Sequence, residues 1–229
     1  MRTLLLKALA ACLVCGVAPL AFANGGGAMP SMSLPAPRVA TPQQQARDLY
    51  NDGVGYVKKA DKSDAAAAKA TDAAKKERAT RESHDRYASA LGKFQQSVQL
   101  DPDGYEAWNY VGYTSRKLGH YDDALAAYER ALTLKPGYAD AIEYRGEAYL
   151  AVNRLDDAKK AYLDLFAGNR ALAEKLLAAM KGWVAAQHAA PAAENAASVE
   201  ELDRWIQERS QVAAQTAALT RAGTASAWR

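Results

Sequence analysis

The side chains in this 229-residue chain best suited to metal binding, acid–base work or nucleophilic attack are few: His84, His120 and His188; Cys12 and Cys15; and the acid pairs Asp122-Asp123 and Asp156-Asp157. Their spacing assembles none of the known chemistries. The histidines stand far apart, with no second histidine at the helical spacing a metalloprotease zinc site requires. The glycine run at residues 24–28 leads into Met29 and Pro30, so it lacks the strand before and the helix after that would let it cradle a phosphate. No GxSxG elbow is present. The acid pairs recur at one fixed interval and read as helix starts, where negative charge meets the positive end of the helix dipole. The sequence therefore predicts no catalytic, cofactor-binding or metal-binding residues, and a protein that is not an enzyme.

Composition narrows the alternatives. Charged residues make up 24% and hydrophobic residues 49%, the latter swollen by alanine, which buries little area. A formal charge of +3 argues against nucleic acid or an anionic membrane surface as partner.

The first 23 residues read as a signal peptide. Arg2 and Lys7 form a basic start, residues 8–18 are apolar, and Ala21-Phe22-Ala23 is a small-x-small cleavage site before Asn24. The apolar run is too short for a comfortable membrane span. Residues 9–12 resemble a lipoprotein box ending in Cys12, but almost no apolar segment would precede that cysteine, which argues against lipid anchoring. Cleavage after Ala23 would remove both cysteines, together with Arg2 and Lys7, and lower the formal charge to +1. An exported chain without thiols has no disulfide or thiolate metal site and fits a periplasmic location.

Residues 24–42, rich in Gly, Pro and Ser, are expected to be a flexible linker. From Gln43 onward apolar residues recur at three- and four-residue spacing, without strand-like alternation, so the body is predicted to be helical. Aligning Pro102 with Pro136 exposes a repeat of period 34. Gly112 falls on Gly146, Asp122, Asp123 and Ala124 on Asp156, Asp157 and Ala158, and Tyr128 on Tyr162. Backward, Ala90 falls on Ala124, Phe94 on Tyr128 and Leu100 on Leu134.

A 34-residue unit with Trp108, Val111, Gly112, Tyr121, Ala124, Tyr128, Ala131 and Pro136, followed by a copy carrying Ile142, Gly146, Leu155, Ala158 and Tyr162, resembles the tetratricopeptide repeat family. The resemblance implies an all-α fold, a short α-α superhelix of about three repeats. Gly112 and Ala124 are small enough for two helices to approach closely, Trp108 and Tyr128 would fill the space between them, and Pro136 ends the second helix. Residues 105–138 and 139–168 are two repeats. Residues 43–104 form a degenerate first one, with Gly53 at the small position. There the family would join the two helices by a few residues, but residues 62–86 intervene.

This insert is alanine and charge without Gly or Pro, so it favours helix. Two forms fit it: one long helix from about Asp64 to Leu100, capped by Ser63 or Asp64, or an antiparallel hairpin projecting from the repeats. It is read either as a solvated arm or as a surface that docks on another chain. Residues 169–187 form an amphipathic capping helix with Leu172, Leu176, Leu177, Met180 and Trp183 or Val184 on one face. Residues 188–197 are a linker. Ser198 through Glu201 read as a capping box opening a C-terminal helix over 198–220, with Leu202, Trp205, Ile206 and Val212 as its stripe. Residues 221–229 are expected to be loose.

Stacked helix pairs make a groove lined by the first helix of each repeat. Its expected partner-binding residues are Tyr50 in the first copy, Glu106, Asn109, Tyr113, Arg116 and Lys117 in the second, and Asp140, Glu143 and Glu147 in the third, with Val54, Val57, Lys58 and Leu150 flanking them. The mixture suits a peptide or protein segment with an anchor and some charge. The same residues also read as plain solvated helix faces. Some members of the family grip a C-terminal carboxylate with basic and amide side chains. The corresponding positions here carry Tyr50, Val54, Tyr110, Asp140 and Tyr144, so that clamp is missing. The resemblance implies a scaffold or adaptor of the cell envelope with a protein partner. The alternative is a structural protein that self-assembles into a homo-oligomer through the helical arm or the C-terminal helix.

Overall fold

A computed structural model describes residues 40–189 and 195–226, the last seven by backbone only. The expected signal peptide, nearly all of the linker at 24–42 and the end of the tail lie outside the described residues. Contacts divide the chain into residues 1–38 and a second unit from Val39 onward, which holds every described element. Eight helices and no strand occur among the described residues: α1 (Pro42–Lys69), α2 (Ala73–Leu100), α3 (Tyr105–Lys117), α4 (Tyr121–Leu134), α5 (Ala139–Ala151), α6 (Leu155–Gly168), α7 (Arg170–Ala189) and α8 (Ala196–Ser226). No helix among them is long and apolar enough to cross a membrane.

Successive helices pair as hairpins, α1 with α2, α3 with α4 and α5 with α6, and α7 packs on both α5 and α6 before α8 returns along it. Each helix buries residues at three- and four-residue intervals: Gly53, Val57, Ala60, Ser63 and Ala67 on α1, and Ser83, Tyr87, Ala90, Phe94 and Ser97 on α2. Alanine supplies much of this core but little area. The burial is carried by rings, with Tyr87, Phe94, Tyr128 and Tyr162 all fully buried or nearly so. Each such ring contributes roughly 2–3 kcal/mol of burial free energy.

The period of 34 extends to the backbone. Gly119, at φ +82°, ends the first helix of one repeat, and Asn153, at φ +58°, stands one period later in the next. Both supply the left-handed residue that lets the chain reverse after α3 and after α5; Asn is the residue other than Gly that adopts it most readily. Asp122 and Asp123 lie in the first turn of α4, and Asp156 and Asp157 in that of α6, as helix starts.

The insert forms the hairpin, not the single helix. α1 continues through Ser63 and Asp64, so neither caps a helix. The break falls at residues 70–72, and Asp72 caps α2, its Oδ1 accepting from the Lys75 amide at 2.8 Å. The reason is phase. A Cβ on Gly112 would stand 2.6 Å from the Tyr128 ring, and one on Gly53 2.7 Å from the Phe94 ring. The same glycine–ring contact therefore survives although Gly53 and Phe94 are separated by 25 more residues than Gly112 and Tyr128. The extra length has been shared between both helices beyond that contact. There Ser63, Ala67 and Ser83 keep the backbones close, and the Arg86 guanidinium bonds Ser63 Oγ and the Lys59 carbonyl. Residues 73–78 at the far end are exposed.

Three boundaries differ from expectation. α1 begins with a capping box: Thr41 Oγ1 accepts from the Gln44 amide at 3.2 Å, Gln44 Oε1 accepts from the Thr41 amide at 2.9 Å, and Pro42 stands at the first position. The expected linker thus ends before Thr41. α7 reaches Ala189. α8 starts at Ala196, which puts Ser198 inside its first turn instead of at its cap, and continues to Ser226, past the expected end. Leu176, Leu177, Met180 and Val184 are the buried stripe of α7, and Leu202 and Ile206 that of α8, whereas Val212 is exposed.

Gly112→Ala is expected to destabilise the protein by roughly 1–3 kcal/mol, because the buried Tyr128 ring cannot move aside. Gly92→Ala, which meets nothing within 4 Å, should be neutral or stabilising by up to about 1 kcal/mol. Urea unfolding midpoints of the two variants make the comparison.

Candidate partner-binding groove

The first helices of the hairpins share one face. α3 packs on α5 and α5 on α7, while α1 reaches α3 through side chains. Two regions occupy this face.

The first is a closed network. Asp61 Oδ1 accepts from the hydroxyls of Tyr87 at 2.6 Å and Tyr113 at 2.7 Å. Lys117 pairs with Asp64 and stands 5.2 Å from the centre of the Tyr87 ring. Burial alone would raise the Asp64 carboxyl, but hydrogen bonds from Lys117, Ser83 and Tyr87 hold it below its ordinary value. Arg116 pairs with Glu147 at 2.6 Å, with only 15% and 20% of the two side chains exposed, and lies against the rings of Tyr113 and Tyr144. Burial opposes the Arg116 charge, and Glu147 together with Tyr128 and Tyr113 more than compensates. Lys175 of α7 donates to Glu143 Oε2 at 2.9 Å. Arg116, Lys117, Glu147 and Glu143, expected to face a partner, are thus engaged in tying α1 to α3, α3 to α5 and α5 to α7.

Glu143 is fully buried, and its Oε1 has no hydrogen-bond partner. Burial, then the neighbouring Glu147 carboxylate, push its pKa up to about 7 against the opposing pull of Lys175. A proton on that oxygen converts an orphaned acceptor into a donor toward Glu147.

The second region is open. Tyr50 packs edge-on against Phe94 at 5.8 Å and Tyr110 at 5.6 Å, and Tyr105 edge-on against Tyr138 at 5.0 Å. Glu106 and Asp140, half-buried beside them, make no ion pair among the described residues. Burial and the neighbouring Tyr110, Glu106 and Tyr105 raise the Tyr50 hydroxyl to about 12. Tyr50 and Glu106 also wall a pocket of about 430 Å³ with Arg47, Ser97 and Asp101.

The nine expected site residues are therefore divided. Tyr50, Glu106 and Asp140 border the open region. Asn109 is buried in the floor, its Oδ1 unpartnered. Tyr113, Arg116, Lys117, Glu143 and Glu147 belong to the network. Of the flanking positions, Val57 and Leu150 are core and Lys58 points to solvent. Asp61, Asp64, Tyr87 and Lys175 were not expected at this face. Asp61, Asp64 and Tyr87 reach it only through the register of the hairpin, which no local pattern announces. Tyr138, at the other end, carried no repeat signal either. His120 stands at the N-cap position of α4 without a side-chain cap bond and is exposed, and no metal-binding cluster occurs among the described residues.

The model of the tetratricopeptide repeat family matches residues 81–139 and, in an overlapping second stretch, 112–174. The matched residues, from within α2 to the start of α7, are accordingly similar to tetratricopeptide repeats. Among solved structures, the first repeat domain of Spaghetti (RPAP3) bound to the HSP90 peptide SRMEEVD is similar at 19% identity, with a TM-score of 0.46, covering 62% of this chain and 95% of that one. The TPR2B domain of yeast Sti1 in complex with pHsp70 is similar at 13% identity and a TM-score of 0.38, covering 72% and 98%. The CopN–Scc3 complex is similar at 17% identity and a TM-score of 0.43, covering 66% and 80%. No curated protein matches this chain.

A Glu pKa raised from 4.5 to about 7 means that the folded state holds a proton the unfolded chain releases. Stability from this group is complete below about pH 4.5 and is lost as pH rises through about 7. Glu143→Gln should flatten the decline in urea midpoint between pH 5 and 8; parallel profiles for variant and parent would show that Glu143 is charged throughout.

Proposed function

We propose that this chain is a non-enzymatic adaptor of the bacterial cell envelope that holds a segment of a partner protein in the groove face of its repeats. The observation that carries this reading is the open region around Tyr50. Half-buried rings beside two carboxylates without an ion pair, on a face otherwise closed by internal pairing, are the kind of amphipathic surface that anchors a partner segment. The signal-peptide pattern of the first 23 residues supports export, and the lack of cysteine after Cys15 suits an oxidising compartment where no disulfide is needed.

A photo-crosslinking amino acid at Tyr50 or Tyr138 should yield adducts to an envelope protein in living cells, and the same group at Leu163, exposed on α6, should not. Equal labelling from all three positions, or from none, rules out the groove. Amino-terminal sequencing of the exported protein should begin at Asn24.

A second reading has its own support. Val212 and Leu219 are exposed on α8, Leu219 at 73%, where an apolar stripe runs beyond its support. Self-assembly through α8 would make the mass measured by light scattering rise with concentration and revert with Leu219→Lys. A constant monomer mass removes it.

A further inference from the structure

The open region is electron-rich in a pattern that follows the repeat. Glu106 on α3 and Asp140 on α5 occupy the same position of successive repeats, one period of 34 apart. One turn further along each helix, on the same face, stand Asn109 and Glu143, again one period apart. Both are buried, at 2% and 0% exposure, and each leaves one side-chain oxygen without a hydrogen-bond partner. Glu143 Oε1 faces Glu147, but buried polar atoms are satisfied in the great majority of cases, and the unpaired Asn109 oxygen points to a missing N–H donor. Tyr50, Tyr110 and Tyr138 add their negative ring faces.

Most cations of this face are committed elsewhere. Arg116, Lys117 and Lys175 are held by Glu147, Asp64 and Glu143. Arg47 lines one pocket wall together with both Asp101 and Glu106 and makes no ion pair with either among the described residues. Lys135 is exposed, donates to the Tyr105 hydroxyl at 2.7 Å, stands 4.2 Å from the centre of that ring and 5.4 Å from that of Tyr138, and feels the charge of Glu106 without pairing with it. Its position shows that this ring pair accommodates an ammonium group.

Resting on the reading of the face as a binding groove, we propose that its occupant is a basic segment, which seats a lysine or arginine side chain among Tyr50, Tyr110 and Tyr138 and pairs it with Glu106 and Asp140. An acidic tail would meet two carboxylates that make no ion pair among the described residues and is repelled. Charge complementarity therefore sets the sign of the partner, and the rings set its shape.

The test uses the full exported chain, immobilised, and a displayed library of random peptides about twelve residues long, a length that can span two repeats in extended form. Retained peptides are expected to be enriched in Lys and Arg. By fluorescence anisotropy their affinity should fall roughly tenfold in Glu106→Gln and in Asp140→Asn, the loss of one partly desolvated cation contact. It should also weaken with added salt and be unchanged in Glu129→Gln, whose exposed carboxylate lies on α4, outside the groove. Unaltered thermal unfolding checks that the half-buried carboxylates were not needed for folding. Enrichment of neutral or acidic peptides that still depend on Tyr50 would overturn the basic partner and leave the groove standing. Peptides insensitive to Tyr50→Ala, or no retained peptide at all, would overturn both.

Discussion

A glycine facing an aromatic ring is the contact on which the rest of this structure depends. Gly112 against Tyr128 and Gly53 against Phe94 bring paired helices closer than any side chain at the glycine would permit. The core is otherwise largely alanine, whose burial is worth little, so the hairpins rely on a few rings inserted where a Cβ is missing. In the third hairpin the same contact changes hands. A Cβ on Gly146 would meet Leu176 of α7 at 2.6 Å before anything in its own hairpin. That substitution recruits α7 into the stack and explains why α7 occupies the place a further repeat would fill.

Fixing the hairpin spacing also fixes what the first helices can do toward one another. Once α1, α3, α5 and α7 are held side by side, long polar side chains on their shared face reach the neighbouring helix. Asp61 and Asp64 take Tyr113 and Lys117, Glu147 takes Arg116, and Lys175 takes Glu143. The Arg116–Glu147 tie lies at low exposure on both sides, where an ion pair is worth more than at a free surface but leaves a costly charge if broken. Together the ties convert much of the presumed groove into scaffold. The part left without such ties is the end near Tyr50, where α1 supplies one ring.

The insert shows how a departure from the repeat pattern can be absorbed. Twenty-five residues divided between two helices keep Gly53 opposite Phe94 and extend the first hairpin, and the added length is held by serine, alanine and one arginine. Alanine and charge without Gly or Pro made helix the expected state, but could not choose between one helix and two. Asp72, followed by alanines and lysines, is a cap signal of ordinary strength, and it decided the outcome only because the phase of the two glycine–ring contacts demanded a reversal there.

The sequence by itself determined the helical class, the period of 34, the hairpins at Gly112 and Gly146, and the absence of an assembled catalytic motif. These properties are local: helical spacing, a proline stop, a small residue at a fixed offset, an acid pair at a helix start. The left-handed turn at Asn153 is local in the same way, standing one period after Gly119. The tertiary structure alone decided which groove residues are free. Arg116 and Lys117 look identical to solvent-exposed cations along the chain, and their partners Glu147 and Asp64 lie in other hairpins, brought within reach by helix packing. Burial of Glu143 and Asn109 is likewise a property of the neighbours that close over them. Pairing and desolvation are set by distances between helices, and those distances appear only once the rings have found their glycines.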